Sequence, residues 1–231
     1  MLREASALLA LLNIELPLAA IPPIPSPLGL WSKTKRMRAY LIGPMDECGD
    51  LGKGWRLDIQ KFLWGLRCGV LNPCDKAINV GVEDEELHLK LGKLRELIKY
   101  NENAGCKNLV NDCYTEIEKL MNPVIAIDFA MVDRSDFIVM FIDRDMHMCG
   151  TYAEETLAVS QKKPVVICCR QGKHAIPNFC FKRMGRHNMM FGNWDGVKQY
   201  LIQVDADPLF EDPSNTWKFF DYDKVYHGRL K

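Results

Sequence analysis

The sequence predicts an α/β protein built on a parallel sheet, and two observations support this fold class. From Arg38 onward, short apolar runs typical of buried strands alternate with longer segments whose apolar residues recur at helical spacing. The runs 39–45 and 136–143 also end in turn-forming or acidic residues and lead into helices, which is how an open α/β sheet presents side chains at its carboxyl edge. The 231 residues suffice for one such domain with extensions.

The first predicted strand, 39–45, has the sequence Ala-Tyr-Leu-Ile-Gly-Pro-Met. A helix is expected over residues 53–66, where apolar residues at helical spacing alternate with polar ones. The apolar stripe consists of Trp55, Ile59, Phe62, Leu63 and Leu66, and the polar positions between them are Arg56, Asp58, Gln60 and Lys61. A short second strand, 69–73, ends at a proline.

A long charged region, 83–121, connects the second strand to the central one. Its apolar residues predict two helices separated by a break at 101–105, with the charges forming a solvated face. Asn122-Pro123 is expected to start a further helix, because proline is favoured in the first turn. That helix carries Asp128 and ends before the central strand, 136–143.

The last third of the chain completes the predicted sheet. A helix opening at Gly150 leads to a buried strand of the parallel type, 164–169. A fifth strand is expected at 188–191, followed by a helix at 194–201. Together the elements predict a three-layer sandwich of helices around a parallel sheet of about five strands, flavodoxin- or Rossmann-like, in the order 2-1-3-4-5.

Three regions are expected along the chain. They are an N-terminal leader at 1–36, an α/β domain at 37–205 with a helical insert at 76–121, and an aromatic C-terminal tail at 206–231. The leader's apolar stretch is interrupted by charges and followed by prolines, so it fits neither a transmembrane span nor a secretory signal. Nine cysteines without any Cys-x-x-Cys pair favour a reducing compartment, and we expect a cytoplasmic protein.

Composition and missing motifs exclude several classes of function. Thirty basic and thirty acidic residues cancel, so no net charge attracts the chain to a nucleic acid polymer or a membrane. His147 and Cys149 lie two apart but have no second pair at ligand spacing, so no metal is predicted. The glycine motifs of nucleotide-triphosphate, nicotinamide and serine-hydrolase sites are missing. We therefore expect a small-molecule ligand and no cofactor.

Two predicted strand ends bring a phenol and a carboxylate to one edge of the sheet. Tyr40 lies in the first strand, and Glu154 stands one turn into the helix that follows the central strand. Carboxyl ends of parallel strands share an edge, so these side chains are expected to meet. Considered without the other residues, Glu154 would be an ordinary surface residue of a helix, and Thr151 would be a helix cap. With Asp128, however, they describe a site built on carboxylates and a tyrosine.

Three motifs occur in a fixed order over residues 38–170. They are Tyr40-Leu-Ile-Gly43-Pro44-Met45, then Asp128 in a helix before Ser135-Asp136, and then Gly150-Thr151-x-x-Glu154-x-x-x-Ala158, closed by Lys163-Pro164-Val165-Val166. In these motifs the chain resembles the nucleoside 2-deoxyribosyltransferase-like superfamily, which includes the nucleotide N-glycosidases. The family pattern has an apolar residue and then glycine where this chain has Glu155-Thr156. Glu154 and Glu155 therefore compete for the inward position.

The resemblance implies glycosyl transfer at C1′ of 2′-deoxyribonucleosides or their 5′-monophosphates. Glu154 would stabilise or bond the sugar carbon, Asp128 would bond or protonate the leaving base, and Tyr40 would orient Glu154. The residues implied to bind the substrate are Gly43, Pro44, Met45, Gly150 and Thr151. A homo-oligomer in which a neighbouring subunit's tail completes the pocket is also implied. Two alternatives stay open: a hydrolase that uses water as the acceptor, and a non-catalytic nucleotide-binding module.

Overall fold

The structure is a computed structural model, and it describes residues 37–45, 48–76, 83–183 and 187–206. These residues contain a sheet of five strands, all parallel, in the order β2-β1-β3-β4-β5. The strands are β1 (Arg38–Ile42), β2 (Gly69–Leu71), β3 (Phe137–Ile142), β4 (Val165–Cys169) and β5 (Met190–Phe191). The predicted fold class and strand order are therefore confirmed.

Helices lie on both faces of this sheet. They are α1 (Lys53–Gly65), α2 (Glu85–Asn103), α3 (Lys107–Arg134), α4 (Cys149–Ser160), the single turn α5 (Cys180–Arg183) and α6 (Trp194–Ala206). In the described part of the chain, none of them combines the length and apolar character needed to cross a membrane. The predicted leader, 1–36, and the tail beyond residue 206 lie outside the described residues, so the domain boundaries there stay predictions.

Alternation along β1 sends neighbouring side chains to opposite faces of the sheet. Ala39 and Leu41 belong to a core that includes residues of α1 and α6, whereas Tyr40 and Ile42 belong to a second core with residues of α3 and α4. All five positions of β4 are buried, as expected for a parallel strand covered on both sides. The register of β1 therefore turns Tyr40 toward α4.

The charged region between β2 and β3 forms a helical hairpin, as predicted. Helix α2 begins after Asp84, whose carboxylate accepts a hydrogen bond from the Leu87 amide at 2.9 Å. This cap satisfies one of the donors at the start of the helix. Gly105 makes the turn into α3 with a φ of 72°, a conformation that side chains other than glycine rarely adopt. An ion pair of 3.2 Å between Lys90 and Glu116 connects the two helices.

Helix α3 shows that one prediction was wrong. It runs through Pro123 as one helix of 28 residues, so no new helix starts at Asn122. Proline lacks an amide donor and normally ends or kinks a helix, which is why the sequence indicated a boundary there. Packing compensates for the lost bond, because one end of α3 lies against α2 while Val132, near the other end, is fully buried on the sheet. The predicted insert boundary at residue 121 therefore falls inside a helix.

Arg56 shows that a second prediction was wrong. It was assigned to the polar side of α1, yet it is only 1% exposed. Its guanidinium donates to the carbonyl oxygens of Gly43 at 2.7 Å and Gly52 at 2.9 Å, with two further carbonyls at 3.4 Å. A buried charge is tolerated when its donors are satisfied in this way. Gln60, one turn later, is buried by accepting a hydrogen bond from Asn72 at 2.6 Å.

Asp50 occupies the start of α1. Its carboxylate accepts hydrogen bonds from the amides of Gly52 at 2.9 Å and Gly54 at 2.7 Å. The hydrogen bond from Gly54 is the main reason why the pKa of Asp50 lies below its ordinary value. Amides that a phosphate group would need at this helix end are thus already bound to a carboxylate.

Candidate active site

A hydrogen bond between β1 and α4 forms the centre of the candidate site. The Tyr40 hydroxyl donates to Oε1 of Glu154. Tyr40 is fully buried, and its position on the α4 face of the sheet follows from the alternation of β1. Glu154 lies three residues after Thr151 and four before Ala158, both of which are buried. Residues at these spacings lie near one side of a helix, and the hydrogen bond to Tyr40 shows that the Glu154 carboxyl group reaches β1 from that side.

The two neighbouring glutamates of α4 differ in their contacts. Glu154 is the residue bonded to Tyr40. Glu155 is even less exposed, at 1%, but it lies about 100° further round the helix. The departure from the family pattern at Glu155-Thr156 therefore leaves the contact between Tyr40 and Glu154 intact.

Burial dominates the protonation of both members of this pair. It raises the pKa of Glu154 to about 8, and the nearby Asp128 carboxylate adds to the rise, whereas Tyr40 and Arg56 oppose it. Burial and then the Glu154 carboxylate raise the pKa of Tyr40 well above its ordinary value, so the phenol stays a donor. Glu154 consequently carries a proton through most of the neutral range and becomes a carboxylate only toward pH 8.

Asp128 is held beside the pair by a buried lysine. Lys76 Nζ lies 2.9 Å from Oδ1 of Asp128 and 3.9 Å from Oε2 of Glu83, and its side chain is 0% exposed. Burial raises the pKa of Asp128, while the hydrogen bond and the charge of Lys76 act against the rise. The charge of Asp128 in turn affects the pKa of both Tyr40 and Glu154. The three predicted catalytic residues therefore form one electrostatic group.

The loop after β1 is fixed by Arg56. The carbonyls of Gly43 and Pro44 point to its guanidinium. A side chain at Gly43 would collide with the Trp55 ring, because a Cβ built there lies 2.6 Å from Trp55 Cζ2. Glycine at this position thus has a packing reason, and the predicted contact of Gly43, Pro44 and Met45 with a substrate stays a prediction.

The predicted substrate-binding residues of α4 lie at the start of that helix. Gly150 is exposed, and a Cβ built on it would meet no atom within 4 Å. Thr151 is buried and is the third residue of α4, whereas the N-cap position is Met148, so the interpretation of Thr151 as the cap is wrong. No side chain caps this end of α4, which leaves backbone amides available to a polar ligand group.

The adjoining strand ends are tied together by a separate polar cluster. Arg170 Nε lies 2.7 Å from Oδ2 of the buried Asp143, and Gln171 Nε2 donates to Oδ1 of the same carboxylate at 2.7 Å. Arg170 also pairs with Asp145. This cluster joins the loops after β3 and β4, which is a structural role. No group of three His, Cys, Asp or Glu side chains in the described segments is arranged to hold a metal ion.

Two buried cations were missed by the sequence analysis. Lys76 follows β2 in the segment Asn72-Pro-Cys-Asp-Lys76, and no motif marked it. Arg56 could have been recognised, since it lies three residues before Ile59 and four before Gln60, on the stripe that α1 buries. Each places a positive charge next to the carboxylates, and each lowers the pKa of Asp128 relative to burial alone.

Comparison with models of known protein families and with curated proteins gives no match to this chain. The chemistry open to the site therefore follows from its own groups. They comprise two carboxyl groups with raised pKa values, a phenol that donates to one of them, and a lysine that pairs with the other. Paired carboxyl groups in distinct environments are typical of sites that cleave glycosidic bonds.

The ion pair to Asp128 leads to a prediction about stability. Lys76→Met is expected to lower the free energy of unfolding by about 2 kcal/mol at pH 8, since it leaves a buried carboxylate without its partner. The folded-state pKa of Asp128 rises in the variant, so stability is retained while Asp128 is protonated and is lost as pH rises through that pKa. Urea unfolding should therefore show a smaller difference in unfolding free energy between Lys76→Met and the wild type at pH 5 than at pH 8.

The control for this variant is a second substitution. Adding Asp128→Asn to Lys76→Met removes the group that titrates, and the additional loss at pH 8 should disappear. The loss of unfolding free energy caused by Lys76→Met could instead be the same at pH 5 and pH 8, both in the wild type and in Asp128→Asn. In that case Lys76 would stabilise the fold through packing and not through the charge of Asp128.

Proposed function

We propose that the protein cleaves the N-glycosidic bond of 2′-deoxyribonucleosides or their 5′-monophosphates and transfers the sugar to an acceptor base. The observation that carries this proposal is the hydrogen bond from Tyr40 to Glu154, with Asp128 close enough to affect both. A carboxylate beside C1′ stabilises the positive charge that develops on the sugar or bonds to it. The phenol fixes the carboxylate's orientation and favours its ionised form.

The first half of the reaction divides the work between two carboxyl groups. The C1′–N bond breaks and its electron pair moves to the base nitrogen, which takes a proton from Asp128. An oxygen of ionised Glu154 forms the new bond to C1′. Burial raises the pKa of Asp128, which suits an acid, while Lys76 keeps the resulting carboxylate stable after the proton has left.

The second half reverses these steps with a different base. A ring nitrogen of the acceptor attacks C1′, the bond between C1′ and the Glu154 oxygen breaks, and the acceptor's proton returns to Asp128. Water in place of the acceptor gives hydrolysis and a free sugar. Gly43, Pro44, Met45, Gly150 and Thr151 surround the substrate in this proposal, and the uncapped start of α4 faces its polar groups.

One assay distinguishes the proposal from its alternatives. The protein is incubated with each 2′-deoxynucleoside and each 5′-monophosphate, with and without a second base, and the products are separated by chromatography. A new nucleoside in the presence of the acceptor base supports transfer. Release of free base without exchange indicates a hydrolase. Ligand binding, measured by calorimetry, without either product would identify a non-catalytic module and overturn the proposal.

A further inference from the structure

Helix α2 presents an apolar surface that nothing in the described residues covers. Leu89, Leu97 and Tyr100 are 60%, 50% and 72% exposed. They line an open groove of about 840 Å³, and none of its lining residues in the described part of the chain belongs to the site around Glu154. The opposite side of α2, which includes Ile98 and Asn101, is the side that is buried. Exposed apolar surface of this kind indicates a contact with another molecule.

Gly92 lies at the centre of this surface. A Cβ built on it meets no atom within 4 Å, so no contact in the described chain requires glycine there. Glycine inside a helix costs about 1 kcal/mol relative to alanine. The gap that Gly92 leaves on this exposed helix face, called the notch below, is explained if a side chain of another molecule enters it. Small residues allow helices to approach closely in this way.

The surface is complementary to itself. Leu89, Lys93, Glu96 and Tyr100 are spaced by four, three and four residues, the spacing of a helix–helix seam. About a two-fold axis midway between residues 94 and 95, an antiparallel copy of α2 would place Lys93 opposite Glu96. The same axis places Gly92 opposite Leu97, so a leucine of each copy enters the notch of the other. It also places Leu89 opposite Tyr100, which pairs the two apolar ends.

We infer that the protein forms a homodimer through antiparallel packing of α2 against α2 of a second copy. A two-fold contact requires a surface patch that is complementary to itself. In this groove Lys93 lies opposite Glu96 of the second copy, and Leu97 lies opposite Gly92. Lys93 and Glu96 form no ion pair with any other described residue, so both charges remain for the partner. The inference concerns a surface away from the candidate site and holds whether or not the proposed activity is found.

A matched pair of variants tests the surface. Sedimentation velocity of the full chain is expected to show a dimer that dissociates on dilution. Leu97→Glu should leave only monomer at the same concentrations. Leu109→Glu is the control, because Leu109 is 53% exposed but lies on α3, outside the groove. Gly92→Gln should also weaken the dimer while the melting temperature stays equal or rises, since glutamine is the better helix former.

A charge exchange tests the register. Lys93→Glu brings like charges together twice in the dimer and should raise the dissociation constant by at least about tenfold at low salt. The double variant Lys93→Glu and Glu96→Lys restores opposite charges across the axis and should recover the wild-type constant to within about threefold. A wild-type chain that stays monomeric would overturn the inference and assign the groove to another segment of the same chain. Equal behaviour of Leu97→Glu and Leu109→Glu, or no recovery in the double variant, would also overturn it.

Discussion

Glu154→Gln is expected to lower the turnover number by at least about 10³-fold in the deoxyribosyl-transfer assay, with the fold retained. The substitution removes the charge that the proposed mechanism directs at C1′, and electrostatic stabilisation of the transition state usually contributes more to catalysis than any other effect. Glutamine keeps a carbonyl oxygen that can still accept the hydrogen bond from Tyr40. Circular dichroism should therefore be unchanged.

The stability of this variant has a pH dependence of its own. Burial raises the pKa of Glu154 in the folded state to about 8, which is above the ordinary value of about 4.3 that applies when the chain unfolds. The protonated group therefore favours folding at low pH, and that contribution is lost as pH rises through about 8. Glu154→Gln should match the wild-type melting temperature near pH 4, where the wild-type carboxyl group is protonated in both states, and should exceed it by a growing margin up to about pH 8.

The adjacent residue provides the control. Glu155→Gln changes a buried carboxyl group of the same helix by the same isosteric replacement, yet turnover should stay within about threefold of wild type, because Glu155 does not bond to Tyr40. A large loss in Glu155→Gln together with an active Glu154→Gln would mean that the neighbouring residue carries the chemistry and that the site has been assigned to the wrong side of α4.

Tyr40→Phe is expected to lower kcat/KM by roughly 10–150-fold at pH 7, because one oriented hydrogen bond to a charged group is lost. The hydrogen bond from Tyr40 opposes the rise in the pKa of Glu154, so its removal raises that pKa further. As long as Asp128 keeps its proton, kcat/KM of the wild type should increase about tenfold per pH unit toward about pH 8. In Tyr40→Phe the same profile should shift to higher pH, while the melting temperature stays the same because the ring still packs.

The pH profile separates the roles that Glu154 could have. A nucleophile must be ionised, so activity rises as the proton leaves. A general acid must be protonated, and activity would then fall above about pH 8. The second shape would reverse the proposed division of work between Glu154 and Asp128. An unchanged rate in Tyr40→Phe would mean that the hydrogen bond has no catalytic role, and the proposed site would have to be abandoned.

The backbone architecture could be predicted from the sequence because each of its determinants is local. Buried strands of the parallel type are continuous apolar runs, as in 164–169, and the run of β3 is bounded by aspartates. The meeting of Tyr40 with Glu154 followed from the same logic, since neighbouring parallel strands end at one edge. Where tertiary contacts outweigh local preference, prediction failed, and Pro123 inside α3 is the clearest example.

The charged environment of the site could not be predicted, because it depends on which polar groups the fold buries. Arg56 was placed among solvated residues of α1, yet the carbonyls after β1 supply enough acceptors to bury it. Lys76 lies in a segment without periodicity, and only the path of the chain brings it to Asp128. The spacing of residues in the sequence shows which side chains share one face of a helix or strand. The contacts of Arg56 and Lys76, however, join side chains to other parts of the fold.

The proline of α3 has a mechanical consequence. The helix has 28 residues, which corresponds to about 42 Å at 1.5 Å per residue, and it spans from the hairpin to the turn that carries Asp128. Pro123 removes one hydrogen bond of the helix between these two regions, so bending is easiest there. A bend of the hairpin is therefore expected to be taken up at Pro123, five residues before Asp128, so that the carboxylate moves less than the far end of the helix.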